Sequence, residues 1–430
     1  MALGGGTFLV QNKVLPGAYI NFVSRPRAMG HLGERGVLCM GMELDWGADG
    51  MITVEAEDFQ KETRALFGYA YTDDKMQNLR EVFMHAKKLK LFRLNGGEKA
   101  QGESGNLTVR AKWGGERGNG LRVAVVPNVD EDGKFDVNTY LDLELVHTQT
   151  AAEVEELENN DYVTFSGKGT LQPEACLCLA GGTTAETTGS AYTNFLEAAE
   201  KEDFNVLAYA GSDLVTKKLF VNFTKRMRDE EGVKFVTVLH DYAQADHEGV
   251  ISVGTAAELV YWTAGAAAGA EVNESLANTV YDGEYVINAK RKKSQFIKGI
   301  QEGQFLFYEE DGGLKVLRDI NSFTSFETTK NSDFSSNRVV RVLDSIANDV
   351  AGIFSRYYLG KQSNNANGRN LLKAEIMAYH EELQGIEAIE NFTADDITVE
   401  KGREKQDVVI YESVQPVDAM EKLYMRVEII

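Results

Sequence analysis

Apolar positions change their spacing several times along this chain, and each change predicts a different kind of element. From residue 106 to residue 180 the runs NLTVRAKW, GLRVAVVP, TYLDLELVHT, DYVTFSG and EACLCLA are apolar or alternate at period two over strand lengths. Turn-forming stretches such as DEDGK separate them. One piece, TAAEVEELEN, has a helical pattern. The stretch predicts a small β-sandwich or barrel interrupted by one short helix.

Past residue 190 the period becomes helical. SAYTNFLEAAEKE places Tyr192, Phe195, Leu196 and Ala199 on one stripe. FNVLAYA follows as a buried strand. SDLVTKKLFVNFTKRMRDEEG predicts a helix capped by Ser212 and stopped at Gly232, with Val215, Leu219, Phe223 and Met227 inward. VKFVTVLH is the next strand. Helix, strand, helix, strand implies an α/β sheet with right-handed crossovers. TAAELVYWTAGAAAG reads as a further helix whose Gly265 and Gly269 allow close backbone approach. YVINAK reads as a strand and QFLFYEEDGGLKVLRD as a hairpin. NRVVRVLDSIANDVAGIFSRYYLG and GRNLLKAEIMAYHEELQG are amphipathic helices, and IENFTADDITVEKG and DVVIYESVQPV are strands.

Both ends of the sequence carry strand material. GGGTFLV and KVLPGAYINF stand at the front, hung on three glycines. KLYMRVEII stands at the back, with Leu423, Met425, Val427 and Ile429 pointing one way and Tyr424, Arg426 and Glu428 the other. A free apolar strand invites pairing with another chain. An arm of about 15 residues reaches on the order of 50 Å, enough to add to the open sheet edge of a neighbouring copy. The alternative is that both ends fold back onto their own domain. Small or polar breaks fall at 95–106, 180–190, 321–337 and 360–368, and no repeat of fixed period occurs.

The length of 430 residues suggests two to four domains. Apolar residues are 43% and charged residues 26%, as in an ordinary folded protein. The formal net charge of −21 argues against a general nucleic-acid binder and against docking on an anionic membrane. A local basic run, AKRKKSQFIK (289–298), reads as a solvated edge or as a patch for an acidic partner. The cysteines are Cys39, Cys176 and Cys178, a sparse count that suits a reducing compartment. Cys176 and Cys178 share one face of a predicted strand without a second ligand cluster, so the expectation is buried small hydrophobes. The N-terminus has no basic region followed by an apolar core, and the longest apolar run, 259–270, is too short to span a bilayer. The expectation is a protein made in a cytoplasm.

Catalytic chemistry has few candidates. The nearest to a constellation is HDYAQADH, with His240, Asp241, Asp246 and His247 after a predicted strand, where ligands of α/β sheets often sit. It supports an α/β hydrolase or nucleotide-binding enzyme as the alternative reading. WGGERGNG (113–120) has phosphate-loop glycines but no helix behind it, and AYAGSDL lacks a P-loop lysine. No metal or cofactor set is expected.

Four stretches together resemble one family. LPGAYINF is similar to the Pro-Gly-hydrophobic-Tyr opening motif of contractile tail sheath proteins of phages and phage-tail-like bacteriocins. Ala18 departs mildly from it, standing where a β-branched residue is usual. LFRLNGGEKA resembles that family's aromatic run into Asn-Gly-Gly. AKWGGERGNGLRVAV resembles its Gly-x-x-Gly-Asn-x-Leu-x-Val stretch, and GKQSNNANGRNLLKAEIMAYHEEL its pattern of Asn, then Arg, then an apolar helix. They occur in the family's order, and the short β domain suggests the Gram-positive prophage branch.

The resemblance implies an α+β / α/β multidomain chain. Its expected parts are an N-terminal arm (1–20), an α/β sheath core (21–95 with 183–325), an inserted β-sandwich or barrel domain (96–182), a C-terminal α+β domain (326–416) and a C-terminal β-arm (417–430). It implies a structural subunit and no catalytic residue. Its expected partners are itself in stacked hexameric rings, an inner tail tube protein, and baseplate and tail terminator proteins. The expected location is a virion tail or tail-like particle assembled in the bacterial host cytoplasm. The candidate polymerisation residues are Phe8, Leu9, Val10 and Val14 in front and Leu423, Met425, Val427 and Ile429 behind. The candidate recipient edge is Val408, Val409, Ile410 and Tyr411, and the candidate tube-facing cations are Lys361, Arg369 and Lys373.

Overall fold

The computed structural model describes residues 33–429 and, ahead of them, only the short strands Gly5–Gly6 and Ala18–Tyr19, which pair in parallel. The described chain divides into two compact units. The larger holds 33–348, 387–390 and 416–429; the smaller holds 349–386 and 391–415.

A seven-stranded sheet centres the larger unit. Its order is Gln304–Phe305, Val250–Val253, Val236–His240, Val206–Tyr209, Val37–Met42, Lys88–Arg93 and Gly50–Glu55. All neighbours are parallel except the last pair, which is antiparallel. Such a sheet must be covered on both faces, and the strands read accordingly. Leu38, Met40, Val206, Ala208 and Val238 belong to one core, while Cys39, Leu207 and Leu239 belong to the core on the other face.

The helix Leu259–Gly269 covers the first face and has no polar side, being buried almost all round. Gly265 and Gly269 bring its backbone against the helix Gln77–Phe83 and the turn after it. A Cβ on Gly265 would sit 2.4 Å from the Val82 carbonyl oxygen, and one on Gly269 would sit 2.3 Å from that of His85. The expected close approach is therefore present.

The helices Ala191–Ala199 and Leu214–Lys225 cover the second face. The latter departs from expectation. Its cap is Asp213, whose carboxylate accepts the Thr216 N–H, and not Ser212. Val215 is 78% exposed, and the buried stripe is Lys217, Phe220, Val221, Phe223, Thr224 and Met227. The helix is rolled so that Arg228, in the π-helical turn Arg226–Glu230 that follows, points inward. There its guanidinium donates to Asp344 at 2.6 and 2.8 Å and to the Phe235 carbonyl. A buried guanidinium needs such partners, and this requirement fixes the roll.

Two sheets make a sandwich around a separate core that includes Val109, Val123, Val137 and Val163. One sheet runs Glu144–Ala151, Phe135–Leu141, Leu121–Pro127 and Glu174–Cys178; the other runs Val163–Gly167, Leu107–Ala111 and Gln101–Ser104. The run TYLDLELVHT, expected as one strand, turns at Asp142 (φ 54°) and contributes to two. TAAEVEELEN makes only the 3-10 turn Val154–Glu156. The Glu156 carboxylate accepts the Ala152 N–H, and Gln149 exchanges hydrogen bonds with Glu158, so the segment is held as a loop. YVINAK forms no strand; the Tyr285 and Ala289 N–H groups bond to the Tyr281 hydroxyl and the Glu309 carboxylate instead of a neighbouring strand.

The two passages between sheet and sandwich pair with each other, Gly97–Glu98 against Thr183–Thr184. Their backbones touch. A Cβ on Gly114 would lie 2.1 Å from the Gly97 oxygen, and one on Gly115 (φ 134°) would lie 1.9 Å from the Asp45 oxygen. The buried Arg93 donates to the carbonyls of Gly47 and Gly114. Asn95 accepts the Leu44 N–H, and Asn119 exchanges two 2.8 Å hydrogen bonds with Gly182. The glycines of WGGERGNG thus serve backbone contact and leave no cradle for phosphate.

Replacing Gly265 with Ala forces the glycine helix off its neighbour and is expected to lower unfolding stability by about 1–3 kcal/mol. Urea denaturation of the full chain measures it; an unchanged midpoint would contradict the close contact.

Candidate assembly surfaces

The smaller unit is built on two helices and a hairpin. The last residues of the helix Asn337–Ile353 lead into the π-helical turn Phe354–Tyr358, and the long helix Ala366–Gly385 follows. Ile397–Lys401 and Val408–Glu412 pair antiparallel, with Val399 opposite Ile410. Three adjacent asparagine and glycine functions tie these pieces together. The Asn364 amide donates to the carbonyls of Lys405 and Asp407 in the hairpin turn. The Asn365 side chain caps the long helix by accepting the Gly368 N–H at 2.8 Å. Gly368 has no room for a side chain, since a Cβ would sit 2.1 Å from the Ser363 oxygen.

Val408, Val409, Ile410 and Tyr411 all lie on the second strand of this hairpin. Among the described residues that strand pairs only with Ile397–Lys401, and no described strand lies on its far edge. Its side chains are unusually open for an apolar strand: Val408, Val409 and Ile410 are half-buried and Tyr411 is 64% exposed. A cavity of about 810 Å³ opens beside it, with Phe354, Tyr358 and Leu372 among its apolar lining, Arg369 on the helix, and Val408 and Val409 on the strand.

Beneath the hairpin, His380 is fully buried and stacked on Phe392. Its Nδ1–H donates to the Ile376 carbonyl, leaving Nε2 bare and 3.7 Å from the Glu412 carboxylate at the strand's end. The Tyr379 hydroxyl donates to Asp349, and burial raises its pKa.

The candidate cations are dispersed along one stretch. Lys361 Nζ donates to the Arg356 carbonyl, Arg369 to Asn364, and Lys373 to the Ala394 carbonyl. Arg369 and Lys373 sit one turn apart on the long helix; Lys361 precedes it.

The chain's end belongs to the larger unit and forms no strand within its described part. Arg318 pairs with Glu421 at 2.7 Å. Beyond that pair Leu423, Met425, Val427 and Ile429 are 87, 75, 70 and 97% exposed, and Tyr424 is as open as they are. Among the described residues no strand lies beside the expected two-faced strand to define its faces. Phe8, Leu9, Val10 and Val14 lie outside the described residues.

The HDYAQADH residues do not form one site. His240 is half-buried near Lys217, Asp241 and Glu258, and burial lowers its pKa. Asp246 caps the segment opposite, its carboxylate accepting the N–H groups of Thr324 and Ser325. His247 lies with Asp229 and Glu248, their ligand-type atoms within 4.8 Å of one another. Its Nδ1 accepts the Gly249 N–H, which places the ring proton on Nε2, aimed at Asp229 at 3.2 Å. Lys330 occupies the Glu248 carboxylate at 2.8 Å. The donor set therefore reads as a hydrogen-bonded charge network, since a metal would need the Nε2 lone pair that the proton holds.

Matches to known proteins cover most of the chain. Residues 95–186 match the phage tail sheath protein beta-sandwich domain, 185–322 the phage tail sheath protein central domain, and 329–430 the phage tail sheath C-terminal domain. The crystal structure of a sheath tail protein from Desulfitobacterium hafniense is 43% identical, with TM-score 0.83, covering 96% of this chain and 99% of its own. The phage-like element PBSX protein XkdK of Bacillus subtilis is 32% identical over 99% of this chain and 100% of its own. The helical sheath of the anti-feeding prophage in its contracted state shares the fold, with TM-score 0.56 and 12% identity over 97% of this chain and 99% of its own.

Two measurements check these surfaces. Removing the Asn365 cap with N365A is expected to cost about 1 kcal/mol, read as a lowered urea midpoint. Burial holds the His247 pKa below its ordinary 6.5, against the pull of Glu248 and Asp229 and with the push of Arg228. Burial opposes charge on Glu248 as well, yet Lys330 and His247 bring its pKa below 4.5. Below pH 6.5 the unfolded imidazole takes up a proton that the folded one refuses, so the unfolded state gains. Stability should be full above that pH and fall below it, and H247Q should flatten the upper part of the fall in urea titrations.

Proposed function

The chain belongs to the phage tail sheath family, and from this premise we propose that its copies stack as hexameric rings around an inner tail tube and contract to drive that tube through a target cell envelope. It is a sheath subunit. The observation that carries the finer reading is a mismatch among the described residues: an exposed apolar tail that pairs with no described strand, and an apolar strand with no described strand on its far edge.

In the proposed polymer, Leu423, Met425, Val427 and Ile429 of one copy, and Phe8, Leu9, Val10 and Val14 of another, add to sheet edges at Val408–Tyr411 of their neighbours. Donor and acceptor surfaces differ, so the contact is heterologous and propagates as a ring or helix. Each added backbone hydrogen bond contributes about 0.5–1.5 kcal/mol net, and two arms per copy multiply that along the particle. Arms that stay paired let the bodies they join rotate and repack without separating, which a bistable polymer requires.

The proposed layout is an arm (1–20), a core (21–95 with 183–325), an outward sandwich (96–182), a C-terminal domain (326–416) and a second arm (417–430). Lys361, Arg369 and Lys373 are proposed to face the tube protein. Baseplate and tail terminator proteins would close the two ends of a virion tail or tail-like particle assembled in the host cytoplasm.

Truncation tests the exchange. The intact chain is expected to form rings or tubes in negative stain. A variant lacking Ala2–Val14, and another ending at Lys422, should unfold cooperatively yet sediment as monomers. Unchanged tubes from both truncated chains would sink strand exchange, and an intact chain that stays monomeric at high concentration would sink the polymer itself.

A further inference from the structure

We infer that Cys176 and Cys178 form a surface dithiol that exchanges with small-molecule disulfides and closes into an intramolecular disulfide. The sequence predicts these residues to be buried, and the structure reverses that. They lie on Glu174–Cys178, an outer strand of the four-stranded sandwich sheet, with Leu177 turned into the core and both thiols turned out.

A regular strand would keep the pair apart. At about 3.3 Å per residue, positions i and i+2 stand about 6.6 Å apart, near the outer limit of Cα separations that a disulfide spans. The register here slips by one residue: Glu174 faces Val125 and Leu177 faces Val123. The extra residue kinks the strand, and the Glu174 carboxylate holds the kink by accepting the Cys176 N–H at 3.1 Å. The two sulfurs consequently stand 2.8 Å apart. That is less than the roughly 3.8 Å between two thiolates on one tetrahedral zinc with Zn–S near 2.3 Å. The geometry therefore favours a bond between the sulfurs over a chelated cation. Cys39, the remaining cysteine, is fully buried and takes no part.

The exchange balances as follows. The Cys176 thiolate attacks one sulfur of a disulfide RSSR, breaking its S–S bond, releasing RS⁻ and leaving a mixed disulfide. Cys178 gives its proton to solvent, and its thiolate attacks the Cys176 sulfur, expelling the second RS⁻. The protein dithiol is oxidised by two electrons, the small disulfide is reduced to two thiols, and the two protons lost by the protein go to the two RS⁻ groups. The hydrogen bond to Cys176 raises the Cys178 pKa; the scheme is written with Cys176 attacking first, and it balances equally with the two roles exchanged. Closing so short a loop removes little entropy from the unfolded chain. The bond would therefore act as a reversible mark on the sandwich surface and not as a staple of the fold.

The test treats the full chain with excess oxidised glutathione, quenches it in acid, and counts thiols after denaturation alongside intact-mass and peptide mass spectrometry. The expected result is a fall from three free thiols to one, a mass lower by two hydrogens, an internal link in the 176–178 peptide and no retained glutathione. The C178S variant should instead keep one glutathione on Cys176. Three free thiols, stable glutathione on both cysteines, or cross-linked dimers would each overturn the inference. Both cysteines are exposed, so C176S and C178S should fold, and a circular dichroism melt of each confirms it.

Discussion

A strand's backbone groups must be paired, and that constraint orders this molecule. Inside the seven-stranded sheet it is met: interior strands have neighbours on both sides and helices on both faces. At Val408–Glu412 and along the chain's end, the described residues supply no strand to complete it. Tyr411 on that strand and the apolar side chains of the chain's end are also open to water. An isolated two-stranded hairpin is marginal by itself. Here Asn364 steadies its turn and the long helix supports it from below. The hairpin is thus held in place by contacts within its own unit.

Much of this was legible in the sequence, for identifiable reasons. Period-two runs found the sandwich strands because their inner residues, such as Val109, Val123 and Val163, have no alternative but the core. The glycine helix was legible because Gly265 and Gly269 sit one turn apart in an otherwise apolar run, which makes sense only for close backbone contact. Three of the four stretches that resemble the family lie at junctions; the fourth, LPGAYINF, falls outside the described residues except for Ala18–Tyr19. Asn95, Gly97, Gly114, Gly115 and Asn119 join sheet to sandwich, and Asn364, Asn365 and Gly368 join helix to hairpin. Each is a residue that only one geometry accommodates.

What escaped the sequence depended on partners far along the chain. The roll of the helix Leu214–Lys225 follows from Arg228 meeting Asp344, and no local period encodes a partner so distant. The 285–290 segment has strand composition, but side-chain acceptors capture its N–H groups. Cys176 and Cys178 looked buried because their neighbours are apolar; the edge position and the register slip that expose them are tertiary facts. The Val408–Glu412 strand had no sequence signal beyond its composition, and no described strand lies beside the tail to separate its two faces.

The paired passages between sheet and sandwich carry a mechanical consequence. Two separate linkers would let the sandwich swing like a flag on a double cord. Here Gly97–Glu98 and Thr183–Thr184 are laced together, Gly115 rests directly on the Asp45 carbonyl and Gly114 on that of Gly97, with no side chain between them. Such a joint ties the sandwich to the sheet through backbone on both passages, which two unpaired linkers would not do. A lever built on such a joint would carry any rotation of the sheet out to the loops of the sandwich.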